Sequence, residues 1–231
     1  MSLTQIAPDL WGTPHWPVED YANTRAYLLT RPQGNVLIYG LGFQRDEADE
    51  DLLDEIAALG GVQVQILSHG DEASHSLEAV RQRFGSRLAC SAVEVDQIDN
   101  YAEGLSVDLA WEPDCADDAL DGLEIMATPG HTRGSISVRY ESPHGQTYLF
   151  TGDTIVPKDD GGWVVNVAEQ QGGTAADLER SLLALRTQFF DLLASSAYVG
   201  ETSTASPSRE EWQAIIDRRI ERLRVWDAAR A

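Results

Sequence analysis

Two periods of hydrophobicity alternate along the chain, and the places where one gives way to the other mark its elements. Val62, Val64 and Ile66 are separated by Gln63 and Gln65, the period of two that a strand shows, and the run extends to Ser68. Upstream, residues 23–40 read as two short strands around the turn Arg31-Pro32-Gln33-Gly34. Residues 45–59 have helical spacing. Their first turns carry Asp46, Glu47, Asp49, Glu50 and Asp51, where acidic side chains complement the positive end of a helix. Gly60-Gly61 ends that segment, a second helix is expected over 74–84 before Gly85, and a strand over 87–92. The order strand, helix, strand, helix, strand implies a sheet with helices on its faces.

The middle of the chain changes character. Residues 105–111, 123–128, 135–141 and 147–150 read as short strands separated by turns. The connection over 112–122 holds Asp114, Asp117, Asp118 and Asp121, but it lacks the glycine that a calcium loop needs at its sixth place and reads as a hairpin connection. Residues 174–194 show a helical stripe of Leu178, Leu182, Leu185 and Phe189, and 198–200 a short strand. A final helix is expected at about 208–229, with Trp212, Ile215, Ile216, Ile220, Leu223 and Trp226 at helical spacing. That stripe suits core packing, and the helix is also a candidate face for a homodimer. No linker, repeat or low-complexity tract divides the chain, so residues 1–231 are expected to form a single domain.

Charge narrows the partners. With 38 acidic and 17 basic residues the formal net charge is -21, which argues against nucleic acid and anionic membranes. A small-molecule substrate fits better. Cys90 and Cys115 are the two cysteines, too few for a disulfide framework or a four-thiolate zinc site. The N-terminal segment shows no basic start and no apolar core of a signal peptide, and the apolar runs are shorter than a membrane span, so a cytoplasmic location is expected.

Four segments carry candidate chemistry, each a strand that runs into a loop with a metal-capable residue. The first, residues 65–76, reads QILSHGDEASHS and presents His69, Asp71 and Glu72. In MATPGHTRGS, residues 126–135, Pro129-Gly130 makes a sharp turn that presents His131. In YLFTGDT, residues 148–154, Gly152 lets the backbone turn to present Asp153, and YVGETS, residues 198–203, presents Glu201. Together ATPGHTRGS and LFTGDT make the chain resemble the metallo-β-lactamase superfamily, from about Tyr27 to Glu201 in the right order. The resemblance implies an α+β fold, the αββα sandwich, in which two mixed β-sheets pack face to face with helices on the outer faces. It also implies an active site at one edge, built from strand-end loops.

The first motif departs from the family's HxHxDH. His69 matches, Asp71 stands for the second histidine, Ala73 replaces the aspartate and Ser74 the third histidine. The family's last histidine falls at Glu201. By resemblance, one metal would take His69, Asp71, His131 and Asp153, all able to ligate zinc or a harder divalent ion. The second metal's set becomes Ala73, Ser74, Asp153 and Glu201, and alanine cannot ligate at all. One well-held metal is therefore expected, zinc first and iron as the alternative. His75, one place after the lost histidine, is turned by roughly 100° if the helix has begun there, which makes it a surface or supporting residue. Glu72 reads as a solvated loop carboxylate, with a base as its alternative role.

Three functions follow. The first is a metal-dependent hydrolase, mononuclear, acting on an ester, thioester or lactone through a metal-bound water, with Glu201, Glu72 or Asp71 as proton acceptor. The second is a non-haem Fe(II) oxygenase of persulfide-dioxygenase type, since His69, His131 and Asp153 make a two-histidine, one-carboxylate set. The third is a metal-free, non-catalytic binding module on the same fold. Residues 157–171, with Gly161-Gly162 and Trp163, read as a loop near the site, Trp163 serving as substrate wall or as local packing.

Overall fold

The computed structural model describes residues 2–18, 22–42, 49–101, 105–112, 120 and 122–230. The start of the acidic helix at 45–48, most of the aspartate-rich connection at 112–122, and Cys115 lie outside the described residues. The chain forms two compact units, Met1–Cys115 and Ala116–Ala231.

The first unit contains β1 (Thr4–Ala7), β2 (Leu10–Gly12), β3 (Trp16–Val18), β4 (Ala22–Thr24), β5 (Tyr27–Leu29), β6 (Val36–Ile38), α1 (Glu50–Ala58), β7 (Val64–Ile66), α2 (Ser76–Phe84), β8 (Arg87–Ser91), α3 (Val95–Tyr101) and β9 (Leu109–Trp111). Its sheet runs β1-β2-β5-β6-β7-β8-β9. The hairpin β5–β6 is antiparallel, with Leu28 opposite Leu37, as the turn residues imply. From β6 to β9 the strands are parallel, which the intervening helices require. All three residues of β7 are buried, Gln65 included, and Gln65 Nε2 donates to Tyr39 O at 3.0 Å. A buried amide needs such a partner. The helix expected from 74 begins at Ser76, because Ser74 serves its first turn, and the strand expected over 105–111 is confined to 109–111.

The second unit contains β10 (Leu123–Ala127), β11 (Ile136–Glu141), β12 (Thr147–Gly152), β13 (Val156–Pro157), β14 (Trp163–Val164), α4 (Ala175–Leu185), β15 (Leu192–Ser195), β16 (Ala197–Tyr198), β17 (Thr204–Ala205) and α5 (Arg209–Ala228). Its sheet runs β10-β11-β12-β15-β17, with β12 and β15 parallel and the other pairs antiparallel. Here the single helix expected over 174–194 is corrected. It stops at Leu185, Phe189 is exposed, and residues 192–195 are a sheet strand. No glycine or proline marks the break. The apolar stretch Leu192-Leu193-Ala194 suits either state, and pairing with β12 decides it.

α5 begins with a capping box: Ser208 accepts from Glu211 N while Glu211 accepts from Ser208 N. Its Trp212, Ile215, Ile216, Ile220 and Leu223 join Leu178, Leu182, Leu185 and Leu193 in one core, each large side chain contributing roughly 2 kcal/mol by burial. Trp212 Nε1 donates to Leu185 O at 2.8 Å and so satisfies the end of α4. On the outer faces, Arg186 pairs with Asp217 and Arg224 with Glu179, and these partners hold both carboxyls below the usual carboxylate range. Trp163 belongs to this core, edge-on to Trp212 at 5.6 Å, which favours its packing role over a substrate wall.

Candidate metal centre

In the first unit, β7 hands over to an extended His69 and then to a tight 3₁₀ turn at Gly70–Glu72. Residues three apart eclipse one another in such a turn. Glu72 therefore folds back over the strand end. Its Oε2 accepts from Ser68 N at 2.8 Å and its Oε1 from the Ser68 hydroxyl at 2.5 Å. His69 Nδ1 lies 3.3 Å from Glu72 Oε1 and 3.0 Å from Ser68 Oγ. Both His69 and Glu72 are buried, so the reading of Glu72 as a solvated loop carboxylate is corrected. The signal was present in the spacing S-H-x-x-E, a carboxylate three residues after a histidine across a glycine-led turn.

The rest of this loop is held from the start of α3. Glu94, itself buried, accepts from Gly70 N at 3.0 Å, and Gln97 Nε2 donates to Asp71 Oδ1 at 3.0 Å. Ala73, in the family's aspartate position, packs in an apolar cluster with Leu67, Leu77, Leu88, Cys90, Ile98 and Leu105. Ser74, in the third-histidine position, is buried with its hydroxyl 2.7 Å from that of Ser76. His75 is exposed at the N-cap of α2.

In the second unit, the PGHT turn is shaped by Gly130. Its φ is +134°, and a Cβ there would stand 2.3 Å from the Leu178 backbone, so only glycine fits. Pro129 O accepts from Ser181 Oγ at 2.6 Å, tying the turn to α4. His131 O accepts from Ala168 N at 2.9 Å, and His131 Nδ1 lies 3.2 Å from Asn166 O. A carbonyl oxygen can only accept, so Nδ1 carries the proton and Nε2 is the nitrogen suited to an ion.

Asp153 follows Gly152, which has φ +52° at the end of β12. Its Oδ1 accepts from Ala197 N at 3.1 Å and from the Ser196 hydroxyl, while Oδ2 is 3.8 Å from His131 Nε2. That separation is too long for a hydrogen bond and near the roughly 3.3 Å between two ligands of one tetrahedral ion. Glu201 is exposed, and its N–H donates to Asp159 Oδ2 at 2.8 Å. Asp159 Oδ1 takes Thr202 N at 3.1 Å, so Asp159 grips the backbone of this loop. Asn166 and Ser196 escaped sequence reading: the first acts through its main chain, and the second is one serine among several.

A family model described as the metallo-beta-lactamase superfamily matches residues 13–222. A probable metallo-hydrolase of Methanocaldococcus jannaschii is 55% identical over 42 residues, a match that spans 18% of each protein's length. Among solved structures, a Cronobacter sakazakii metallo-β-lactamase described by its HARLDQ motif has a TM-score of 0.69 at 19% identity, covering 99% of this chain and 98% of that one. One from Pontibacter korlensis gives 0.71 at 19% identity, with 96% and 98% covered. A class B3 di-zinc enzyme, LRA-12, from an Alaskan soil metagenome gives 0.66 at 15%, with 97% and 92% covered. These likenesses show the fold, the α+β class expected from the motifs.

Proposed function

Because the chain belongs to the metallo-β-lactamase superfamily, we propose that it is a hydrolase that uses one divalent ion, zinc first, held by His69, His131 and Asp153. We take residues 1–231 to act as one domain, in keeping with a family match that runs from 13 to 222. One observation carries the reading: in the second unit the turns of two family motifs set an imidazole beside a carboxylate, His131 Nε2 at 3.8 Å from Asp153 Oδ2, and the family resemblance adds His69 as the third ligand. Two imidazoles and a carboxylate are a donor set that zinc accepts. Asp71, whose Oδ1 accepts from Gln97, joins as a fourth ligand through Oδ2.

A bound ion would bring the pKa of a water down to about 7 and polarise the scissile carbonyl. The chain's own residues supply the rest. Glu72 is a poor proton acceptor, since both its oxygens already accept from Ser68, which leaves the exposed Glu201, or Asp71 where it is not a ligand, in that role. The substrate is an ester, thioester or lactone of a small molecule. A single ion is favoured because Ala73 contributes only packing and the Ser74 hydroxyl is engaged with Ser76.

The same donor set suits non-haem Fe(II), so the second reading is an oxygenase of persulfide-dioxygenase type. Metal analysis of the protein purified from supplemented medium separates them. One equivalent of zinc is expected in the wild type and under a tenth of that in His131→Ala. One equivalent of iron, with oxygen uptake on a thiol persulfide, would replace the hydrolase with the oxygenase. No metal in either protein, with melting unchanged by a chelator, would leave a metal-free binding module, since an ion bound at 100 times its Kd stabilises by about 2.7 kcal/mol.

A further inference from the structure

The family motif has no assigned role for a residue at position 72, yet the Glu72 carboxylate is buried at 8% exposure beside a histidine buried at 3%. Burying a carboxylate is costly unless its oxygens are matched by donors. Here the donors are Ser68 N and the Ser68 hydroxyl, and His69 Nδ1, hydrogen-bonded to Ser68 Oγ, stands 3.3 Å from Oε1. We propose that Glu72 is a positioning residue for the metal centre, holding the proton of His69 on Nδ1 so that Nε2 faces the ion. This rests on the one-ion reading above.

The bonding fixes the direction of the effect. Ser68 N–H can only donate, so the oxygen opposite it must accept. The Ser68 hydroxyl gives its proton to Oε1, and its own oxygen stands 3.0 Å from His69 Nδ1. Both atoms near Nδ1 are thus acceptors, and Nδ1 carries the hydrogen. In Glu72→Gln the amide oxygen stays on Ser68 N–H, because the opposite placement would set two donors face to face. The amide NH₂ then takes the place of Oε1 and donates to Ser68 Oγ, and the hydroxyl turns its own proton onto His69 Nδ1. The imidazole proton moves to Nε2, where it blocks the ion. A change of one oxygen to nitrogen, nearly without change of shape, reverses the tautomer.

The test uses the full chain, freed of metal, with zinc alone as probe. Long-range ¹H–¹⁵N NMR at about pH 8.5, where imidazole is neutral, is expected to show His69 protonated at Nδ1 in the wild type and at Nε2 in Glu72→Gln. Competition with a chromophoric chelator is expected to show zinc affinity lower by about 10–100-fold in Glu72→Gln, still at one equivalent. A folded Glu72→Gln with wild-type zinc affinity overturns the proposal and leaves the metal centre standing. A wild type that takes no zinc overturns the metal centre and with it this role. Should the variant fail to fold, the wild-type spectrum decides alone: a proton on Nε2 overturns the proposal.

Discussion

The ligand-bearing loop of the first unit and those of the second are built on different principles. In residues 68–76 the ligand is held by side chains: Glu72 and Ser68 on His69, Glu94 under Gly70, Gln97 on Asp71. In residues 128–135 and 151–154 the main chain dominates: Asn166 O at His131 Nδ1, Ala168 N on His131 O, Ala197 N on Asp153, and a turn that admits only glycine. Side-chain supports can be exchanged one at a time, and this is where the motif has departed. Main-chain supports are supplied by the fold itself, and changing them means rebuilding the turn. The two loops that keep the family's residues, at His131 and Asp153, are the ones whose ligands the backbone holds.

The sharpest way to break this contrast is at Gly130. In Gly130→Ala the new Cβ meets the Leu178 backbone at 2.3 Å, and φ +134° is strained for any L side chain. Strain and overpacking together are expected to lower stability on the order of 4 kcal/mol in urea denaturation. Wild-type stability would mean that the turn relaxes and the backbone does not dictate His131.

Ala73→Asp probes the loop of the first unit. Restoring the family carboxylate places it in the apolar cluster with Leu67, Leu77 and Leu88. A loss of about 3 kcal/mol is expected, with the metal count unchanged at one. A second ion bound by this variant would show that the site lost nothing but a ligand, and that the cluster around Ala73 did not take over the position.

What could be read from the sequence follows the same division. The strands β5, β6 and β7, the helix α5 and the strand-to-loop junctions at His69, His131 and Asp153 were legible, because period, turn residues and ligand type coincide there. The strand β15 was not: Leu192, Leu193 and Ala194 fit helix or strand equally, and only parallel pairing with β12 separates them. Glu72 was misjudged because solvent exposure of a loop carboxylate is the ordinary case, and a turn that folds it onto Ser68 is a matter of three dihedral pairs. Asn166 and Ala197 act through C=O and N–H, which every residue has, so no pattern of side chains could disclose them.

Ser196 is a side-chain support for Asp153, and it gives the smallest and most discriminating effect. Its hydroxyl and Ala197 N–H share Asp153 Oδ1. In Ser196→Ala the backbone donor remains, so the carboxylate keeps its orientation. The lost bond is expected to cost about 1 kcal/mol of stability. Zinc affinity should fall only a few-fold, well short of the loss of at least about 10-fold expected for Glu72→Gln. Calorimetric melting and chelator competition on the same preparation measure both. If Ser196→Ala loses zinc as severely as Glu72→Gln, then the Ala197 N–H is not enough to hold the ligand. Retention of His131 and Asp153 would then need a cause other than the backbone.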